Sequence, residues 1–231
     1  MGISVPIIVY THTDMKDVWP LFFGQLKKYI GGTKIYVAVN QTDAELSDYV
    51  QVTYDDSNQY TQRWEEILEQ IEEETFIFLH EDMILFDEIN FQLLEKYIEY
   101  VKNNSVKSIK LILVGDHFNE SSVDETLVTN SFAKFSIQPT IIQKKTFQQL
   151  VKNSYPMNIW KFEESIISFE GDFMVRLGNE IKRGLYHYDS LVFPYIATAI
   201  VKGKWNMLEY SKEINTLFET YKFKTTREYF V

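Results

Sequence analysis

The chain has 231 residues, 45% of them hydrophobic and 16% aromatic, with a formal net charge of −10 and no cysteine. That length and apolar content suffice for a folded core, and the missing thiols exclude disulfides and thiolate chemistry. The acidic balance excludes nucleic acid as a partner, since a phosphate backbone calls for clustered cations.

Met1 to Pro6 carries no basic residue ahead of its apolar ones, so no signal peptide is expected. Val5–Tyr10 reads as a buried first strand that ends in the polar run Thr11-His12-Thr13-Asp14. Asp14 is the expected N-cap of a following helix with Met15, Val18, Phe22, Leu26 and Tyr29 on one face, stopped by Gly31-Gly32. Lys34–Asn40 is a second strand, and Tyr49–Tyr54 a short third that runs into Asp55-Asp56. An amphipathic helix follows, with Tyr60, Trp64, Ile67, Leu68 and Ile71 inside and a glutamate-rich outer face.

Phe76-Ile77-Phe78-Leu79 is aromatic and β-branched, short, and without helical spacing, the pattern of a strand buried on both faces. It breaks into His80-Glu81-Asp82 and resumes as Met83-Ile84-Leu85-Phe86. Beyond it the pattern predicts a helix over Phe91–Lys102, strands over Ser108–Val114 and Ala133–Gln138, and a short helix over Lys144–Lys152. A longer helix over Phe162–Lys182 and a last strand over Leu191–Val201 complete the reading. Leu191–Val201 is also the longest apolar stretch, and it is too short to span a bilayer. The expectation is one soluble, cytoplasmic α/β domain without a transmembrane segment. A mostly parallel sheet is flanked by helices, and the C-terminal half is less regular.

Ionisable groups at the end of a buried strand are costly unless they meet a cation or water, and strand ends in open α/β sheets are where ligands bind. Alternation along an extended chain puts His80 and Asp82 on one side and Glu81 on the other, with Asp82 and His80 the candidate ligands of Mg²⁺ or Mn²⁺. In a parallel sheet Thr11, Asp55 and Asp56 share that rim, where carboxylates can accept hydrogen bonds from a base or a ribose. Arg63 is a candidate for a phosphate or a neighbouring aspartate. Glu163, at a helix start, is a candidate general base. Lys204, in the loop Lys202-Gly203-Lys204, is a candidate diphosphate contact. The sequence contains no P-loop, dinucleotide-binding or nucleophile-elbow motif.

In order along the chain, PIIVYTHTD, YDD, Gln62-Arg63-Trp64, FIFLHEDMIL, Phe135-Ser136-Ile137-Gln138-Pro139, WKFE and Gly203-Lys204-Trp205 resemble the small GT-A-type glycosyltransferases of microbes and large DNA viruses. The likeness covers residues 3–210 and implies a single GT-A-like, Rossmann-like domain. Residues 1–115 would form the nucleotide-binding half and residues 116–231 the acceptor and catalytic half. It implies a UDP- or GDP-sugar donor, a glycan or other hydroxyl acceptor, and Mn²⁺ or Mg²⁺ on Asp82, the last acid of a D-x-D motif. Thr11, Asp55 and Asp56 would contact base and ribose, Glu163 would be the base of an inverting transfer, and Trp160 and Phe162 would form an acceptor platform. The chain departs from that motif at His80, where its first Asp would stand. A non-catalytic sugar-nucleotide or glycan binding module and a nucleotidyltransferase on a related fold are the alternatives. Oligomeric state is not legible.

Overall fold

A computed structural model describes residues 2–114, 118–121, 123–129, 136–165, 172–175, 181–185 and 187–231. The strands β1 (Ile7–Tyr10), β2 (Ile35–Val39) and β4 (Thr75–His80) are buried at every position, as parallel strands covered by helices on both faces must be. β3 (Val50–Thr53) alternates in exposure and lies at the edge. α1 (Trp19–Tyr29) follows β1, and α2 (Tyr60–Glu69) joins β3 to β4.

α1 starts later than Asp14. His12 caps a short 3-10 turn, its Nδ1 accepting from Asp14 N at 3.0 Å, and Pro20 then sits in the first helical turn, where its missing N–H costs nothing. Gly32, at φ 90°, ends the connection in a conformation that side chains resist.

The remaining elements are α3 (Phe91–Lys102), β5 (Ser108–Lys110), β6 (Asn119–Glu120), β7 (Leu127–Thr129), β8 (Thr140–Gln143), α4 (Lys144–Asn153), α5 (Ile159–Ser165), β9 (Asp172–Val175), β10 (Lys182–Arg183), β11 (His187–Tyr188), β12 (Ile200–Val201), β13 (Lys204–Asn206), α6 (Met207–Tyr221) and β14 (Tyr229–Phe230). The main sheet runs β3-β2-β1-β4-β8-β5-β9-β7-β6. It is parallel through β3-β2-β1-β4 and again at β5-β9, while β8 enters antiparallel between β4 and β5. The α/β class with a mostly parallel sheet and a less regular second half holds.

Three elements of the second half differ from expectation. The strand expected at Ala133–Gln138 is β8 instead; residues 133–135 lie outside the described residues, as does Phe135 of the resemblance. Of the expected helix over Phe162–Lys182, residues 166–171 and 176–180 lie outside the described residues; α5 is described to Ser165, and Asp172–Val175 is β9 between β5 and β7. Sheet pairing wins over a helical spacing that Gly171 and Gly178, both outside the described residues, already weaken.

The expected strand Leu191–Val201 shrinks to β12. Its first part instead lies along the segment after the acidic break: Ala199 N donates to Asp82 O, Ile196 N to Ile84 O, Phe86 N to Pro194 O and Asn90 N to Val192 O. Pro194 has no N–H to continue a ladder, which explains the irregular pairing. Among the described residues no helix is long and apolar enough to cross a membrane.

Candidate functional site

In the order β3-β2-β1-β4 the chain steps outward from β1 to β2 and β3, then returns to the other side of β1 with β4. The reversal falls between β1 and β4, and the crevice beyond their carboxyl ends is where such sheets bind ligands. Tyr10 pairs with His80 in register, so this crevice begins with Thr11-His12 on one side and Glu81-Asp82 on the other.

Its floor is aromatic. The Tyr10 ring stacks on Tyr54 at 5.1 Å and 7° and on His80 at 5.1 Å and 29°, with Tyr60 at its edge. Tyr60 Oη lies 3.0 Å from His80 Nε2. Burial pushes the imidazole down to about 3, so His80 is neutral at physiological pH. Its Nε2 is committed to Tyr60, and its other face packs on Tyr10. β4 ends at His80 with Nε2 on Tyr60, so a metal role for His80 beside Asp82 would fall to its Nδ1.

The Glu81 carboxyl is held down by the Thr11 hydroxyl, the residue expected to share the rim with Asp82. Thr11 is fully buried, and its hydroxyl accepts the Trp19 indole N–H at 2.8 Å, which leaves its one proton for the Glu81 carboxylate. Glu81 is buried, and its proton affinity is raised first by burial and then by the charge of Asp82; Arg227 and Thr11 oppose the rise. Asp82 is partly exposed and is also raised by burial, against hydrogen bonds from its own N–H and that of Ile200. Two carboxylates thus stand close enough to repel, in surroundings that disfavour their charge. A divalent cation relieves both penalties, and an all-oxygen pair suits Mg²⁺ or Mn²⁺, which complete their shells with water and phosphate. Among the described residues no group of three or more His, Asp or Glu converges on one point.

Asp55 and Asp56 are exposed and lie in the loop before α2, apart from the acid pair. Asp55 accepts from Ser57 N at 2.9 Å and Ser57 Oγ at 2.7 Å, contacts that hold its carboxyl below the usual range. Asp56 pairs with Arg63 at 2.9 Å and with His12 Nε2 at 3.1 Å. Arg63 takes the aspartate of its two expected partners. It also donates to Asn58 O, Asp56 O and Tyr10 Oη, and its guanidinium covers the Tyr54 ring at 5.2 Å. The result is a rigid loop at the rim, next to the aromatic floor.

On the far side Glu163 accepts from Ile137 N at 2.5 Å, and its carboxyl is raised by burial, opposed by that N–H and by the Lys110 ammonium. Glu163 follows Phe162 on α5, and the Phe162 ring packs against that of Tyr60. Phe162 is fully buried with its ring 5.8 Å from that of Tyr60; as core it offers no face to an acceptor, which corrects the expected platform. Trp160 is 70% exposed and remains open to solvent. Lys204 is paired with Glu228 at 2.6 Å. Two surface grooves, of about 390 and 400 Å³, lie elsewhere, one beside Gly31–Ile35 and one between α2 and α4; neither includes the acid pair.

Sequence reasoning missed Glu81 as a crevice residue, the Tyr10–Tyr60 floor and Arg227. Glu81 was readable from the end of the apolar run at Leu79, since alternation fails where a strand stops. Arg227 carries no local signal: it meets Asp17 from 210 residues away.

No protein-family profile matches the chain, and no curated protein sequence does. Among solved structures it resembles the bifunctional IspDF from Campylobacter jejuni, at 11% identity and TM-score 0.43, over 82% of this chain and 52% of that one. The chain thus spans about half the length of that protein. A cytidylyltransferase from Leptospira borgpetersenii matches over 100% of both chains at 12% identity and TM-score 0.46. TarS 1–349 of S. aureus matches over 82% of this chain and 60% of that one, at 13% identity and TM-score 0.45. Likenesses this loose assign neither substrate nor reaction.

Proposed function

We propose that this chain is a glycosyltransferase that moves a sugar from a UDP- or GDP-linked donor to a hydroxyl acceptor, with inversion and with Mn²⁺ or Mg²⁺ at Glu81 and Asp82. The observation that carries the reading is the pair of adjacent carboxyls just past the end of β4 at the strand reversal, Glu81 buried and Asp82 half-buried, beside the aromatic cluster of Tyr10, Tyr54 and Tyr60. The site residues expected from the sequence fall on two sides of it. Thr11, Asp56 and Arg63 border the nucleotide side, while Glu163 and the exposed Trp160 border the acceptor side. On this reading residues before 115 serve the nucleotide and residues after it the acceptor.

A bound divalent cation would supply charge stabilisation for the departing diphosphate. The protein's own groups do the rest. The Arg63-braced loop orients base and ribose beside Tyr10 and Tyr54. Glu163 accepts the proton of the acceptor hydroxyl as that oxygen bonds to the anomeric carbon, and the bond from that carbon to the diphosphate breaks on the opposite face. Burial makes Glu163 a stronger base than an exposed carboxylate, and the Ile137 N–H fixes the direction in which it presents its second oxygen. His80, neutral and held by Tyr60, keeps the floor in shape.

The test is a thermal-shift panel of nucleotide sugars with and without Mn²⁺, followed by detection of released nucleoside diphosphate. The expected result is a metal-dependent rise for one donor and turnover that Asp82→Asn abolishes. Pyrophosphate release from a nucleoside triphosphate would instead mark a nucleotidyltransferase. Stabilisation without turnover would mark a binding module.

A further inference from the structure

The end of the chain returns to its first loop. β14 pairs in parallel with β13, Trp205 N donates to Glu228 O at 2.9 Å, and Trp205 Nε1 donates to Thr225 Oγ1 at 2.7 Å. From this strap Arg227 reaches the loop after β1. Its Nε and Nη2 grip the two Asp17 oxygens at 2.6 and 2.7 Å, and Nη2 also donates to Asp14 O at 3.2 Å and meets Met15 Sδ at 3.4 Å. Nη1 donates to Gly203 O at 3.3 Å, the longest of the guanidinium's hydrogen bonds to oxygen.

An ion pair joining two distant surface segments usually contributes little. This one is a planar two-point grip by an arginine side chain only 17% exposed, and it ties the strap to the loop after β1. Lys204, the cation expected from the sequence, is engaged with Glu228 on the same strap.

We propose that Arg227, held by Asp17 at the mouth of the crevice between β1 and β4, is a binding residue for the diphosphate of a nucleoside diphosphate ligand. The strap reaches the acid-pair segment through β13 and β12, next to which Ala199 N donates to Asp82 O, and the Asp17 grip fixes the guanidinium plane with Nη1 on the edge turned away from Asp17, where a phosphate oxygen can replace Gly203 O. This inference rests on the nucleotide-binding reading above and names the cation that reading lacks.

The test is calorimetric titration of UDP, GDP and the matching nucleosides, with Mn²⁺ present, into wild type, Arg227→Gln, Arg227→Lys and Asp17→Asn. The expected result is at least a tenfold loss of diphosphate affinity in Arg227→Gln, about 1.4 kcal/mol, with nucleoside affinity unchanged. Arg227→Lys should restore part of it, and Asp17→Asn should show a smaller loss. Wild type that binds a diphosphate no better than Arg227→Gln does overturns the proposal and leaves the function reading standing. Equal loss of nucleoside and diphosphate also overturns it, by giving Arg227 a structural role. Wild type that binds neither ligand overturns this proposal and the function reading together.

Discussion

The hydroxyl of Tyr60 lies 3.0 Å from Nε2 of His80, and both residues are buried. Each polar atom depends on the other. His80→Phe or Tyr60→Phe should therefore cost about 1–3 kcal/mol by leaving the surviving partner unsatisfied. The double variant should cost clearly less than the sum. Urea denaturation checks this. The Mn²⁺ response of folded His80→Phe should equal that of wild type; its loss would return the imidazole to the metal set.

Glu81→Gln replaces a carboxyl that folding holds protonated, up to about 8, with a side chain that has no proton to lose on unfolding. The metal-free variant should melt roughly 2–4 °C above wild type at pH 7, for about 1 kcal/mol. The sign follows from the raised carboxyl: a group that binds its proton more tightly when folded stabilises the protein at low pH and loses that contribution as pH rises through its folded value. The advantage of the glutamine should vanish near pH 4, where the glutamate is protonated in the unfolded chain as well as in the folded one. The same variant should lose its thermal response to Mn²⁺. Differential scanning calorimetry over pH, with and without metal, measures both.

The first half of the fold was legible because its signals are local. Buried apolar runs gave β1, β2 and β4, and helical spacing gave α2 and α3. The second half was not, because pairing partners decide it. Phe173-Met174-Val175 becomes a strand only because β5 and β7 leave a place between them, and Leu191–Ala199 is shaped by the segment after Asp82. In the site, the acidic break announced itself, whereas the direction of each side chain depended on where β4 stops. Phe162 shows the same limit: WKFE gives no sign that its phenylalanine is core and its tryptophan is solvent-exposed.

Asp124 shows the opposite electrostatics from Glu81. Burial works to raise its carboxyl, but Lys96 at 2.5 Å, Thr126 and Tyr100 outweigh that and hold it well below the carboxylate range. A carboxyl lowered by folding stabilises the protein above its unfolded value and loses that contribution as pH falls through its folded value. Asp124→Asn should cost roughly 1.5–3 kcal/mol at pH 7, as expected for hydrogen bonds to a charged group. The deficit should shrink below about pH 4, where the unfolded carboxyl of wild type is protonated. Denaturation midpoints at several pH values test the slope.

Glu163→Gln keeps a side-chain oxygen for the Ile137 N–H but cannot accept a proton. If Glu163 is the base, kcat should fall by about 10²–10⁴ while donor affinity stays unchanged. Single-turnover rates at saturating acceptor give the comparison. Donor affinity falling in step with kcat would assign Glu163 to donor binding.

Arg63 serves three elements at once. Its Nε donates to Asn58 O at 2.8 Å, Nη1 to Tyr10 Oη at 3.1 Å, and Nη2 pairs with Asp56 at 2.9 Å, while its plane covers Tyr54. A lysine ammonium cannot reproduce that fork and that flat face, so Arg63→Lys should behave almost as Arg63→Ala does. In both, residues 55–58 lose their brace, and Tyr10 loses the guanidinium bonded to its hydroxyl. Nucleoside affinity should fall about tenfold, or 1.4 kcal/mol, and donor KM should rise by a similar factor. Because the acid pair and Glu163 do not touch Arg63, kcat should change little. Calorimetry with nucleosides and steady-state kinetics on the donor give the two numbers. An unchanged nucleoside affinity would remove this loop from the ligand site and leave Tyr10 and Thr11 as its β1 border.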